Sequence, residues 1–128
     1  MPACTIYDYV EEDGHNDVQA FIDSLQSSER ARLIARIDVL QENGFDILGT
    51  NMLTDTAVPQ IKELRVNGRV AVRLLLCRGP GDPETEATLL YGAFERDNRY
   101  VPQNALDIAD RRRVEVGRHP GRRVERQT

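Results

Sequence analysis

The sequence predicts an α+β domain, with two amphipathic helices near its start, a run of short strands in its middle and one further helix towards its end. Three observations carry the prediction. Apolar residues recur at helical spacing from Val18 to Leu40, β-branched and apolar residues alternate between Ile61 and Phe94, and a proline leads a last apolar stretch at Pro102. A chain of 128 residues suits one hydrophobic core. We therefore expect one domain over residues 1–116 and one site.

Ile6-Tyr7-Asp8-Tyr9-Val10 alternates and carries aromatic and β-branched residues, so it reads as a short strand ending in the turn-like Glu11-Glu12-Asp13-Gly14. After a cap at Asn16 or Asp17, Val18, Phe21, Ile22 and Leu25 share one helix face. Ser27 or Ser28 can cap a second helix, whose stripe is Leu33, Ile34, Ile37 and Leu40 and whose stop is Gly44. So short a connection predicts an antiparallel helical hairpin. The segment from Gly49 to Pro59 has no clear period and reads as a surface loop. Ile61 to Val66, Val70 to Cys77 and Ala87 to Phe94 then read as strands of an antiparallel meander. Pro102, Ala105, Leu106, Ile108 and Ala109 suggest a last helix running into Arg111-Arg112-Arg113, a solvated end. Residues 117–128 are polar and arginine-rich, and read as a disordered tail.

Register adds a constellation. In the strand from Val70 to Cys77, Val70, Val72, Leu74 and Leu76 share one face, while Ala71, Arg73, Leu75 and Cys77 share the other. A two-residue Asn67-Gly68 loop would align the apolar face with Glu63 and Arg65. A three-residue loop through Arg69, with Gly68 at positive φ, aligns it with Leu64 and Val66 and avoids burying charge. Glu63, Arg65 and Arg73 then emerge together on the opposite face.

Composition narrows the function classes. Three Phe, four Tyr and no Trp predict an aliphatic core. No apolar run is long enough to cross a bilayer and the start lacks the basic and apolar regions of a secretory signal, so a cytoplasmic location is expected. Cys4 and Cys77 are too few for a disulfide framework and lack histidines at ligand spacing; both read as free thiols, and neither a metal nor a cofactor is expected. The net charge of −4 is a poor match to a nucleic-acid binder. Its distribution is less so: residues 1–60 hold eleven acidic side chains against three arginines, whereas residues 61–128 hold fourteen basic against ten acidic. The second half can still face a polyanion.

Gln60-Ile61-Lys62-Glu63-Leu64-Arg65-Val66, Ala71-Val72-Arg73-Leu74-Leu75 and Tyr91-Gly92-Ala93-Phe94, with a polar stretch ending at Pro102, resemble the successive strands of RelE/HigB-type toxins, above all the phage-related HigB branch of the RelE/ParE superfamily. The resemblance covers roughly Val18 to Val114. It implies two N-terminal helices packed on a curved antiparallel sheet, a C-terminal helix, and mRNA cleavage on the ribosome under the control of a small helix-turn-helix antitoxin. Operator DNA would be met only through that antitoxin, and no membrane is implied. Carried over by position, Arg65, Arg73 and Arg96 match basic site residues, Tyr100 an aromatic one, and Lys62 and Arg99 RNA-binding ones; Glu63 matches an acidic residue that orients an arginine. Two departures are plain. Glu95-Arg96 stands where many relatives have two lysines, and His15 and His119 lie outside the matched segments.

The implied chemistry is metal-independent attack of a 2′-hydroxyl on the neighbouring phosphate, with Arg65 and Arg73 stabilising the phosphorane and Arg96 on the leaving side. Tyr100 could stack on a base or exchange a proton, provided nearby arginines depress its pKa. Two other functions share the fold: a ParE-like toxin that binds gyrase without catalysis, and a degenerate antitoxin-binding co-repressor module. Without the resemblance, Glu63 facing Arg73 reads as an ordinary cross-strand ion pair contributing about 0.2–1 kcal/mol.

Overall fold

The computed structural model describes residues 2–126. The elements run β1 (Thr5–Tyr9), α1 (Asp17–Ser24), α2 (Ser27–Asn43), β2 (Leu53–Asp55), β3 (Lys62–Val66), β4 (Ala71–Arg78), β5 (Glu86–Arg96), β6 (Arg99–Val101), α3 (Ala105–Arg118) and β7 (Arg123–Glu125). Single 3-10 turns lie over Gly44–Ile47 and Pro120–Arg122. The α+β class is as expected.

The strand signals form one sheet in the order β2-β3-β4-β5-β1-β7, with β6 pairing β5. The expected antiparallel meander holds for β3, β4 and β5, but the sheet as a whole is mixed, which corrects the wholly antiparallel sheet that the resemblance implied. Thr5 to Asp8 of β1 lie parallel to Glu86 to Leu89 of β5. A parallel pair needs a long crossover, and α1, α2 and the β2–β4 ribbon supply it. Alternation within Ile6–Val10 reports a strand but not its partner.

Local signals for the first two helices hold unevenly. Asn16 caps α1, its side chain accepting the Gln19 N–H at 2.9 Å. Gly44 ends α2 at φ 63°. The expected serine cap of α2 is absent: Gln26 is the N-cap and makes no side-chain bond. Ile34 is exposed at the surface, and the buried stripe is Glu29, Leu33, Ile37 and Leu40.

Register between β3 and β4 pairs Leu64 with Leu74, Arg65 with Arg73 and Val66 with Val72. The faces are those expected, but the strands sit two residues further along, leaving Val70 exposed outside the core. Gly68 is not among the glycines at positive φ. It instead makes room for Arg32, whose Nη1 would lie 2.6 Å from an added Cβ and whose Nη2 donates to the Asn67 carbonyl.

Both faces of the sheet are covered, so the core is double. On one side α1 and α2 bury Val18, Ile22, Leu33, Ile37 and Leu40 against Leu64, Val66, Val72, Leu74 and Leu76. On the other, Ala105 and Ala109 of α3 pack with Leu75, Cys77, Leu90 and Ala93. Gly92 lets α1 approach closely, because a Cβ there would lie 2.1 Å from the Phe21 ring.

Three further segments differ from expectation. Leu53, inside the expected surface loop, is fully buried in β2 because the short strand extends the sheet beyond β3. The expected disordered tail continues α3 to Arg118 and then, as β7, hydrogen-bonds antiparallel to β1; Gln127 and Thr128 lie outside the described residues. Arg112 is not at a solvated helix end. A bulge leaves Leu90 as the extra residue between the Leu75–Tyr91 and Leu76–Leu89 pairs, and Arg112 Nη1 donates to its carbonyl at 2.9 Å. The same guanidinium reaches Asp17 at 3.1 Å and lies over the Tyr9 ring at 4.8 Å, tying α3 to α1 and β1.

Candidate functional site

Side chains alternate across a strand, so ladder partners share a face. Arg65 opposite Arg73, Arg73 opposite Ala93, and Glu95 opposite both Ala71 and Tyr100 bring five charged or hydroxyl-bearing side chains to the α3 side of the sheet. These are Glu63, Arg65, Arg73, Glu95 and Tyr100. Two arginines directly opposite repel each other, and the carboxylates offset that repulsion.

Arg73 lies at the centre and is 2% exposed. Its Nε donates to Glu95 Oε1 at 3.1 Å, Nη1 to the Val72 carbonyl at 3.0 Å and Nη2 to Asn67 Oδ1 at 3.0 Å. Glu63 Oε2 stands 3.8 Å from the same Nε. Every nitrogen of the guanidinium is thus engaged within the protein, and Arg73 supports the cluster from below.

Glu63, also buried, accepts a hydrogen bond from Thr54 Oγ1 at 3.2 Å and another from the Tyr100 hydroxyl. Its Oε2 also stands 3.5 Å from Arg65 Nε. That Nε is buried and lacks a hydrogen bond, while the Arg65 side chain as a whole is 30% exposed. The Arg65 Nη groups make no hydrogen bond among the described residues. Arg65 is therefore the arginine of this cluster that can offer its fork to an outside anion.

Tyr100 differs from the sequence expectation. Burial, then its hydrogen bond to Glu63 and the charges of Glu63 and Glu95, push its hydroxyl above the ordinary tyrosine range, against an opposing pull from Arg73. The carboxylates outweigh the arginine because the hydroxyl bonds directly to one of them. A hydroxyl held above its ordinary range keeps its proton at neutral pH.

The remaining expected site residues lie apart. Arg96 and Arg99 face each other across the β5–β6 hairpin, on the opposite face from Glu95 and Tyr100. Both are exposed beside a turn made by Asp97 and Asn98, each at positive φ. Lys62 sits at the other end of β3, with Nζ 2.6 Å from Asp55 and 2.8 Å from the Pro59 carbonyl.

Glu95, Asn67 and Thr54 belong to the cluster but were not foreseen as members. Glu95 was not legible by counting: the bulge at Leu90 reverses the faces of β5, so a strict count from the β4–β5 turn would put Arg96 on the face of Arg73. Nor was Thr54, since its strand lay in a segment without periodicity. Among the described residues no group of three or more His, Cys, Asp or Glu could hold a metal ion. No helix is long and apolar enough to cross a membrane among the described residues.

The family model of the phage-derived protein Gp49-like (DUF891) matches the chain over residues 20–114. No curated protein and no solved structure matches it. The matched span runs from α1 into α3 and includes every side chain of the cluster and both hairpin arginines. The chain belongs to the phage-derived Gp49-like family (DUF891), a family related to the RelE/HigB-like toxins of toxin-antitoxin pairs.

Proposed function

We propose that this protein is the toxin of a toxin-antitoxin pair and that it cleaves mRNA at the ribosome, in the cytoplasm, without a metal. The observation that carries this reading is Arg65: a guanidinium held by a buried carboxylate on one side and free on the other. RNA supplies its own nucleophile, so a cleaving protein must orient the scissile phosphate and stabilise charge as the 2′-hydroxyl attacks. Arg65 donates to the phosphorane oxygens. Glu63, Arg73 and Glu95 fix its position, and Tyr100 holds Glu63 in place rather than moving a proton. Arg96 and Arg99, on the hairpin, contact phosphates along the strand, and Lys62, bound to Asp55, has no direct part. A small helix-turn-helix antitoxin inhibits by covering Arg65, and contact with operator DNA runs through that antitoxin.

The test is induced expression with mapping of mRNA ends. Growth arrest with new internal ends, lost in Arg65→Ala while the fold is kept, is the expected result. A second reading has its own observation: two carboxylates balance the two arginines of the cluster, and Arg73 is buried among them. A ParE-like toxin acting on gyrase, or an antitoxin-binding co-repressor module, needs no free guanidinium. Arrest without new RNA ends favours the first of these, and no arrest at all the second.

A further inference from the structure

A cavity of about 430 Å³ opens where the α1–α2 connection meets the ends of β4, β5 and β6. That volume lies within the roughly 300–1,000 Å³ of small-ligand sites. Leu25, Val70, Phe94 and Val101 give it apolar walls, and Arg69 and Arg96 add exposed guanidiniums. Val70 and Val101 are 40% and 41% exposed. Phe94 is braced from behind by Phe21, the ring centroids 5.4 Å apart.

Glu29 also lines this cavity and is 7% exposed. Its Oε2 accepts a hydrogen bond from Ser28 Oγ at 2.7 Å, while Oε1 has no partner among the described residues. No ion pair to Glu29 occurs among them either. A carboxylate only accepts, so a ligand reaching Glu29 must present donors.

We propose that this cavity binds a guanine base, with Glu29 accepting from its Watson–Crick edge. Guanine offers two adjacent donors there, N1–H and the N2 amine, which match the two oxygens of one carboxylate. Adenine and cytosine put a ring acceptor beside their single amine, and uracil flanks its one N–H with two carbonyls. The flat faces of the base meet Phe94, Val70 and Val101, and the attached phosphate meets Arg69 and Arg96. Glu95 lines the cavity and also bonds Arg73, so the cavity meets the cluster at Glu95, while its walls Phe94, Arg96 and Val101 face away from Arg65 at the end of the sheet. As a sequence-reading subsite, the cavity deepens the RNA-cleaving function proposed above and rests on it.

The probe is guanosine 5′-monophosphate, titrated against its adenosine, cytidine and uridine counterparts into the 15N-labelled full chain. Guanosine monophosphate should bind about tenfold more tightly than the others, the discrimination one bidentate pair supplies, and shift the amides of residues 24–29 and 69–71. Glu29→Gln, which presents one acceptor and one donor, should abolish the preference for guanine, because each of the four bases offers one donor beside one acceptor. Val70→Glu, at an exposed position, should abolish binding with the fold intact, and Arg69→Ala should weaken the nucleotide but not guanosine. A short oligoribonucleotide with one guanine that binds more tightly than the mononucleotide assigns the site to RNA; equal affinity assigns it to free nucleotide.

Four equal affinities, or a Glu29→Gln protein that still prefers guanine, would overturn the assignment. So would cavity amides that respond to the proposed helix-turn-helix antitoxin and to no nucleotide, which would make the cavity a protein-docking site. Cleavage without guanine preference would sink this inference alone. Guanine selection without cleavage would sink the proposed function and leave the site.

Discussion

Removing Arg73 should unfold the protein more readily than it disarms it. Arg73→Ala deletes three hydrogen bonds, to Glu95, the Val72 carbonyl and Asn67, and withdraws the positive charge between Glu63 and Glu95. Glu63 has a side chain only 8% exposed and cannot recover solvation without moving. Breaking a buried ion pair by removing one partner costs about 3–5 kcal/mol. That is a large part of the roughly 5–15 kcal/mol that holds a domain folded. For a chain of this length the melting point should fall by roughly 10–20 °C. Arg65→Ala, at a side chain 30% exposed with one 3.5 Å ion contact, should cost only about 0–1 kcal/mol. Urea and thermal unfolding followed by circular dichroism measure both, and the absence of tryptophan makes fluorescence the weaker probe. Equal midpoints for the two variants, or an Arg73→Ala protein within about 1 kcal/mol of the parent, would refute the assignment of Arg73 to support and Arg65 to contact.

Gly92→Ala drives a methyl group into the Phe21 ring and should cost about 1–3 kcal/mol by overpacking, with much of the loss recovered in the Phe21→Ala background; additive costs in a double-mutant cycle would contradict the contact. Arg112→Met keeps the aliphatic stem but leaves the Leu90 carbonyl and Asp17 without their donor, so the amides around the β5 bulge should exchange faster; unchanged protection there would refute the tie. Burial pushes the Cys77 thiol up to about 12 and the Cys4 thiol up to about 11, from 9.0 in each case. Raised folded-state values mean that this stability is intact below about pH 9 and is lost as pH rises towards 11–12, because only the unfolded chain ionises in that window. Cys77→Ala should therefore flatten the alkaline limb of the stability profile, and an unaltered slope from pH 9 to 12 would show the thiol to be accessible. Leu74→Ala, at a fully buried position, should cost about 2–5 kcal/mol; an unmoved midpoint would contradict its place in the core beneath α1 and α2.

How much of the site was legible depends on the kind of signal each residue carries. Parity along β3 and β4 placed Glu63, Arg65 and Arg73 on one face, because pleat alternation is local and survives a two-residue slip in register. The same counting carried through β5 would have put Arg96 beside Arg73, because it misses the bulge at Leu90 that reverses the faces of that strand. Burial of Arg73 was not legible. It depends on Asn67 and Glu95 closing around the guanidinium, and on α3 covering the rest of that face. The direction of the Tyr100 shift turned on which charge it touches, and no spacing in the sequence reports that the hydroxyl meets Glu63, 37 residues away.

The sequence by itself determined the helices, most of the strands and the class of the fold, because hydrophobic period and turn chemistry act over a few residues. Asn16 and Gly44 bounded helices wherever the rest of the chain came to lie. Tertiary structure alone decided that β1 lies parallel against β5, that β7 closes on β1, and that α3 turns the second face of the sheet into core. Each of these joins segments tens of residues apart. Their pairing is set by which apolar surfaces and unpaired backbone groups remain to be satisfied once the local elements have formed, a condition of the whole chain that no window of it contains.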